Sequence, residues 1–255
     1  MMRRCVWAVL LAAVALAAAL VVLPARWLLN AVPSHWPVRP VDAQGTLWSG
    51  QTILALGNGP QARSLADPLV WHMSLWPTPR IDITHPWLDG PVRVSPGWQG
   101  TGLSAQTLRV PAQALAALDA RLFALDPQGW ITLRWPALFI PDDNGPPVGT
   151  KLLDIEWRDA AFALTSVRPV GDYVARVDQG KENTVNVQAS TTKGHLLFNG
   201  NGTLGAQGLR LFEGSVTVNP ASPPGIQTTL LDMLATLGPR RDDHIVLRYP
   251  ATTNP

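Results

Sequence analysis

The stretch Pro68–Trp76, PLVWHMSLW, decides the fold class of this chain. Its apolar side chains stand at every second position, at Leu69, Trp71, Met73 and Leu75, with His72 and Ser74 between them. Successive side chains of a strand point to opposite faces, so this alternation predicts a strand with one buried face.

The same period of two recurs along most of the chain. It appears at positions 81/83, 92/94, 131/133/135, 153/155/157, 173/175/177, 185/187 and 245/247/249, and in longer pieces over 196–204 and 209–218. Turn-forming clusters at 141–147 and 219–225 separate neighbouring pieces. Many short strands between such turns predict a mainly β fold, with a large antiparallel sheet that is either curved or packed as a sandwich.

Two segments break this pattern and predict short amphipathic helices. Residues 111–123 place Leu115, Leu118 and Leu122 at helical spacing, after a proline suited to a first helical turn. Residues 226–238 carry an apolar stripe and end at a glycine suited to a helix stop. An apolar stripe of this kind is typical of a helix that packs on a core.

The composition agrees with a strand-rich, turn-rich body. The 255 residues include 21 glycines and 24 prolines, and only 15% of residues are charged, against roughly 25% in an ordinary globular domain. The single cysteine, Cys5, excludes a disulfide or a cysteine-based zinc site within one chain. Without Arg3, Arg4 and Arg26, 17 basic residues face 18 acidic ones, which argues against nucleic acid as a partner.

The N-terminus predicts a membrane anchor. Val6–Leu23 is an unbroken apolar run of a length that spans a bilayer as a helix, with Trp7 and Trp27 at its two ends as interfacial residues. Arg3 and Arg4 precede the run and predict a cytoplasmic N-terminus. The alternative is a cleaved signal peptide, whose apolar region is usually shorter and ends in small residues.

We therefore expect three parts in the chain. Residues 1–27 form the cytoplasmic N-terminus and anchor, and residues 28–40 form a proline-rich tether. Residues 41–255 form the β-rich body outside the cytoplasmic membrane, and a boundary near 141–150 would divide that body into two lobes.

The sequence predicts no catalytic, cofactor or metal site. Residues 200–205 fit G-x-G-x-x-G, but alternating residues follow and no helix begins, so we interpret them as a glycine-rich β-turn. The five histidines lack the spacing of metal ligands. The pairs Asp142–Asp143 and Asp242–Asp243 are typical of solvated turns.

The tryptophans leave two alternatives open. Five of them, some beside proline, would either fill the core or line a hydrophobic groove for lipid or polypeptide. These are Trp76, Trp87, Trp98, Trp130 and Trp135.

One hexapeptide stands out between the tether and the body. Residues Gly45, Thr46, Leu47, Trp48, Ser49 and Gly50 carry no ionisable side chain, so they favour a structural or assembly role at the start of the body. With this motif, and with WHMSLWP at 71–77, GWITLRWPAL at 129–138, DIEWRDA at 154–160 and FEGSV at 212–216, the chain resembles the type II secretion system protein N family, also called general secretion pathway protein N. The last strand lacks the closing glycine expected from that family.

The resemblance implies a non-enzymatic, single-pass inner-membrane protein with a periplasmic body. Such a protein assists export of folded proteins from the periplasm across the outer membrane, and its partners are other secretion components. The resemblance implies no catalytic residue and no cofactor. Two other functions remain open: an AsmA-like protein that binds or transfers lipid in an apolar groove, and a periplasmic hydrolase.

Overall fold

The computed structural model describes residues 22–30, 32–33, 36–57, 62–143, 145–205, 208–237 and 244–249. These residues form two eight-stranded antiparallel sheets and a few short helices, which confirms the prediction of a mainly β fold. We call them the N-terminal sheet and the C-terminal sheet.

The N-terminal sheet has the strand order β1-β2-β4-β5-β6-β7-β10, with β3 paired to β2. Short turns join most pairs of consecutive strands in this sheet, as the turn-forming residues of the sequence favour. The strands are β1 Val38–Gly45, β2 Ser49–Leu56, β3 Arg63–Ser64, β4 Leu69–Ser74, β5 Arg80–Thr84, β6 Val92–Gly97, β7 Gly100–Leu103 and β10 Leu138–Pro141.

The C-terminal sheet has the order β16-β15-β14-β13-β12-β11-β9-β8. An isolated bridge between Leu88 and Leu108 links β8 to the loop that precedes β6. The strands are β8 Gln106–Pro111, β9 Gln128–Trp135, β11 Lys151–Ala161, β12 Gly171–Gln179, β13 Val185–Gly194, β14 Leu196–Gly205, β15 Gly208–Val218 and β16 His244–Tyr249.

The helices within the described ranges are short. Two 3-10 helices cover Ala25–Asn30 and Ala112–Ala117, and two α-helices, α1 and α2, cover Ala120–Leu125 and Pro224–Leu237. The predicted helix over 226–238 is therefore present as α2. The predicted helix over 111–123 is divided into a 3-10 piece and α1, and buried alanines rather than leucines face inward in its first half.

The core lies where α2 packs on the C-terminal sheet. Leu230 is completely buried, and Met233 and Leu234 join it on the same helix face. They meet buried Val170 and Leu196 from the sheet side. Burying such side chains removes apolar area from water and is the main stabilising contribution of this contact.

The glycine-rich segment in β14 corrects the interpretation of residues 200–205 as a turn. These residues lie inside the strand, where Gly200 and Gly202 pair with β15. A Cβ on Gly200 would lie 2.7 Å from the ring of Phe212, and one on Gly202 would lie 2.8 Å from it. The glycines make room for an aromatic ring that covers the strand, a role that the spacing alone does not reveal.

The predicted membrane run falls almost entirely outside the described residues, together with Arg3, Arg4 and Trp7. None of the helices in the described part of the chain has the length and apolar character needed to cross a bilayer. Trp27, the other predicted interface residue, lies in the first 3-10 helix with an exposed side chain.

Candidate functional site

The hexapeptide Gly45–Gly50 forms the tight turn between β1 and β2, and we call it the motif turn. Gly45 pairs with Gly50 at the end of the hairpin. The Thr46 amide donates to the Ser49 carbonyl at 2.9 Å, and the Ser49 amide donates to the Thr46 hydroxyl at 3.3 Å. The threonine side chain thus satisfies the turn backbone, as short polar side chains do in turns.

Both glycines of the motif turn meet a steric requirement. Gly45 has φ of 94°, a conformation that glycine adopts without a Cβ penalty. Gly50 lies directly beneath Trp71 of β4, and a Cβ there would stand 2.6 Å from the indole ring. The indole that contacts Gly50 belongs to Trp71, which lies outside the hexapeptide.

The motif turn ties together two other parts of the chain. The Leu47 amide donates to the Leu23 carbonyl at 2.8 Å, and Pro24 forms a bridge with Thr46. On the other side, the Trp71 indole N–H donates to the Leu47 carbonyl at 3.0 Å. The end of the apolar N-terminal run is therefore held against the body by this turn.

A second feature is an apolar groove on the C-terminal sheet, which we call the α2 groove. Its cavity has a volume of about 410 Å³. Met233 and Leu234 of α2 form one wall, and Phe162 and Leu164 after β11 form another. The size falls within the range of about 300–1,000 Å³ that is usual for small-molecule pockets.

The polar atoms of the aromatic side chains in the α2 groove already have partners. The Tyr173 hydroxyl donates to the Leu196 carbonyl at 3.0 Å, and the Trp157 indole N–H donates to the Gln128 carbonyl at 2.9 Å. Burial raises the pKa of the Tyr173 phenol, so that group stays protonated and neutral. The groove therefore offers an apolar surface to any occupant.

The floor of the α2 groove includes two alanines in register. Ile155 pairs with Ala175, and Ala175 pairs with Ala189 on the next strand. Because paired residues lie side by side on one face, the two alanines leave a shallow channel across the strands. The sequence did not reveal this channel, since the alignment requires knowledge of the strand register.

The N-terminal sheet carries an apolar groove of its own. It has a volume of about 390 Å³ and lies under the first 3-10 helix. Leu29 and Trp36 cover it from the N-terminal segment, while Trp71 and Ile83 line it from the sheet.

The tryptophans predicted to fill a core or line a groove mostly do neither. Trp76, Trp98 and Trp130 are exposed, and none of the five lines either apolar groove. Trp135 is partly buried and donates its indole N–H to the Ser104 carbonyl at 3.0 Å. The groove tryptophans are instead Trp157, Trp36 and Trp71.

The opposite face of the C-terminal sheet carries paired charges. Glu156 accepts from Arg134 at 3.0 Å and from Arg158 at 2.6 Å. The hydrogen bond from Arg158 lowers the pKa of Glu156 below its usual value. Arg176 and Asp178 form a further pair at 2.9 Å, so this face presents balanced rather than single-sign charge.

The remaining titratable groups do not assemble a metal site in the described ranges, where no group of three His, Cys, Asp or Glu side chains comes together. Asp142 and Asp143 lie in an exposed turn, while Asp242 and Asp243 lie outside the described residues. The sequence missed one pair: His195 Nδ1 lies 2.8 Å from the hydroxyl of buried Ser222. Ser222 stands in the turn that begins α2, and its carbonyl accepts from Gln227, which fits a structural role.

Comparison with known proteins identifies the family. The sequence model of the family "Type II secretion system (T2SS), protein N" matches residues 36–248. The chain belongs to this family. The match includes the motif turn, both sheets and α2, so membership rests on most of the described body. Searches of curated proteins and of solved structures give no match.

Membership of the type II secretion system protein N family indicates a role in type II secretion and association with the cell envelope. The family is one of secretion-system components. Interaction with other components of that system follows from the same membership.

Proposed function

We propose that this protein is a non-enzymatic accessory component of the type II secretion system, anchored in the inner membrane, that assists export of folded proteins across the outer membrane. The observation that carries the proposal is the family match over residues 36–248. The motif turn supports the anchored arrangement, because it fixes Leu23, the last residue of the apolar run, to the body.

In this proposal Val6–Leu23 crosses the inner membrane with Arg3 and Arg4 on the cytoplasmic side. Residues 1–27 form the anchor region, residues 28–40 the connection, and residues 41–255 the periplasmic body. Trp7 and Trp27 occupy the two interfaces. The hexapeptide Gly45–Gly50 serves as the structural link between anchor and body.

Deletion of the gene tests the proposal directly. We expect the deletion strain to retain its secreted proteins in the periplasm, because a component of the export machine is missing, and a plasmid copy to restore release. A resident periplasmic protein measured in the medium controls for leakage. Unchanged release of secreted proteins would contradict the proposed function.

Crosslinking in living cells adds a second readout of the same proposal. A photoreactive amino acid at exposed Ser49 in the motif turn is expected to capture a secretion component. The same amino acid at exposed Asp67, at the other end of the N-terminal sheet, provides the control. Capture limited to unrelated proteins at both positions would count against a role within the machine.

The α2 groove favours a second candidate function, an AsmA-like capacity to bind or transfer envelope lipid. An acyl chain needs a channel with apolar walls and without unpaired polar groups, and the groove residues satisfy that requirement. The groove does not by itself identify a ligand, so this function stands as the alternative.

Filling the groove tests the lipid alternative. We expect native mass spectrometry of the full chain to show bound phospholipid that Ala189→Phe reduces about tenfold or more, a change equivalent to about 1.4 kcal/mol. Ala189 lies on the groove floor, whereas its neighbour Ser190 lies on the polar face, so Ser190→Phe is the matched control. Equal lipid occupancy in both variants, or none in the unmodified protein, would exclude the groove as a lipid site.

A further inference from the structure

Three hairpin tips of the N-terminal sheet lie at one end of that sheet. Strands β1, β4 and β6 run in the same direction, because each is antiparallel to the strand between them. The turns that follow these strands, at 46–48, 75–79 and 98–99, therefore stand side by side. We call these three turns the motif rim, since the motif turn is its first member.

The motif rim presents large apolar side chains to solvent. Trp76 is 85% exposed, Trp98 is fully exposed, and Leu75 is 58% exposed. Trp98 lies in the two-residue turn between Gly97 and Gly100, at the tip of the β6–β7 hairpin. Packing among the described residues does not account for tryptophans in such positions, and exposed apolar groups of this kind mark an interaction surface.

The chain approaches the body at this same rim. Leu23 and Pro24 are bound to residues 46–47 of the motif turn, and exposed Trp27 follows within one helical turn. The 21 residues before Val22 include nearly all of the apolar run, which therefore ends at the rim. No flexible linker lies between the end of that run and the sheet, because Leu23 is itself hydrogen-bonded to the motif turn.

We propose that the motif rim rests on the surface of the bilayer, with Trp76 and Trp98 inserted at the level of the lipid headgroups. This inference rests on the proposed anchor, which would hold the rim beside the membrane. Tryptophan favours that level because one part of the indole is apolar and its N–H can remain hydrated. The anchor makes the contact intramolecular in effect, so a modest affinity for each side chain suffices.

The charges around the rim indicate whether the rim recognises the negative charge of lipid headgroups or the apolar part of the bilayer. Arg26 and Arg80 lie at the rim, but Asp142 and Asp143 follow β10 at the same end of the sheet. Mixed charge gives little attraction to anionic lipid. The contact therefore depends on the apolar tips, and it should persist in vesicles without anionic lipid and at high salt.

Spin labels on the full-length protein test this arrangement. In a Cys5→Ser background, a nitroxide is placed at Gln99→Cys on the rim or at Asp67→Cys at the opposite end, both exposed positions. The protein is reconstituted in vesicles of phosphatidylethanolamine, with or without phosphatidylglycerol. We expect access of a water-soluble nickel reagent, relative to oxygen, to be several-fold lower at position 99 than at position 67.

A double variant, Trp76→Ser with Trp98→Ser, should restore nickel access at position 99, since both side chains are exposed and their loss leaves the core intact. Unchanged protection would overturn the role of the tryptophans. Resistance to alkaline carbonate extraction reports separately on the anchor. If the protein resists carbonate extraction but the nickel reagent reaches positions 99 and 67 equally, the contact of the rim with the bilayer is overturned and the anchor is not. If position 99 is protected but carbonate extracts the protein, the contact of the rim is supported and the anchor is overturned.

Discussion

Replacing Gly50 by valine is expected to lower the free energy of unfolding by about 3 kcal/mol, the upper part of the usual range for overpacking. A Cβ at this position would meet the Trp71 ring at 2.6 Å and the Gln44 carbonyl more closely still. The carbonyl belongs to the paired strand and cannot move without breaking the hairpin. Denaturant unfolding of the full chain in detergent, followed by tryptophan fluorescence, measures the loss.

Gly102→Val is the matched control for this substitution. Gly102 also lies inside a strand of the N-terminal sheet, but a Cβ there would meet only Ser95, at an ordinary contact distance of 3.7 Å. Valine suits a strand, so we expect a change within about 1 kcal/mol. A loss at Gly50 no larger than that at Gly102 would show that the Trp71 contact does not constrain the hairpin.

The Gly50 substitution has a consequence beyond stability. The hydrogen bonds that hold Leu23 and Trp71 both end on Leu47 of the same turn. Displacing Trp71 would therefore loosen the point at which the N-terminal run meets the body. In the proposed anchored arrangement, Gly50→Val should also reduce secretion in the complementation assay at temperatures where the protein remains folded.

Strand β4 could be predicted because it has one buried face. In β4, Trp71 is buried while Val70 and His72 are exposed, so alternation in the sequence matches alternation in the sheet. Helix α2 was predictable for the same reason, since Leu230, Met233 and Leu234 repeat at the helical period. Periodicity reports burial along one element, and these elements each bury one side.

The division into two sheets could not be predicted from the same signal. Strands β8 and β9 join the C-terminal sheet before β10 returns to the N-terminal sheet, beside β7. Pairing between strands depends on contacts far apart in sequence, and alternation within a strand does not encode its neighbour. The α2 groove depends on the same information, because Ala175 and Ala189 form its floor only in this register.

Two misinterpreted segments show where local reasoning fails. Gly200 and Gly202 were interpreted as a turn because glycine is typical of turns, but their partner is the Phe212 ring on the next strand. Trp76 and Trp98 were assigned to a core or groove because of their apolar area, whereas both lie at hairpin tips. In both cases the tertiary neighbour, or its absence at a tip, decides the role of the residue.

Leu230→Ala is expected to cost about 3–4 kcal/mol of unfolding free energy, within the range for a buried leucine that leaves a cavity. Leu230 is completely buried at the centre of the contact between α2 and the C-terminal sheet. The cost should reach this value because Ala160 belongs to β11 and Val170 to the segment that precedes β12, and neither can collapse far into the space. Denaturant unfolding measures the loss.

Asp232→Ala on the exposed side of α2 is the control, and we expect a change within about 0.5 kcal/mol. The pair of variants also separates two roles of the helix. Met233 and Leu234 of α2 line the groove, so a helix loosened by Leu230→Ala should release bound lipid, if lipid binds there, at denaturant concentrations below global unfolding. Equal stability of the two variants would show that α2 is not fixed to the sheet by Leu230, and the α2 groove would then lack the rigid wall that a binding site requires.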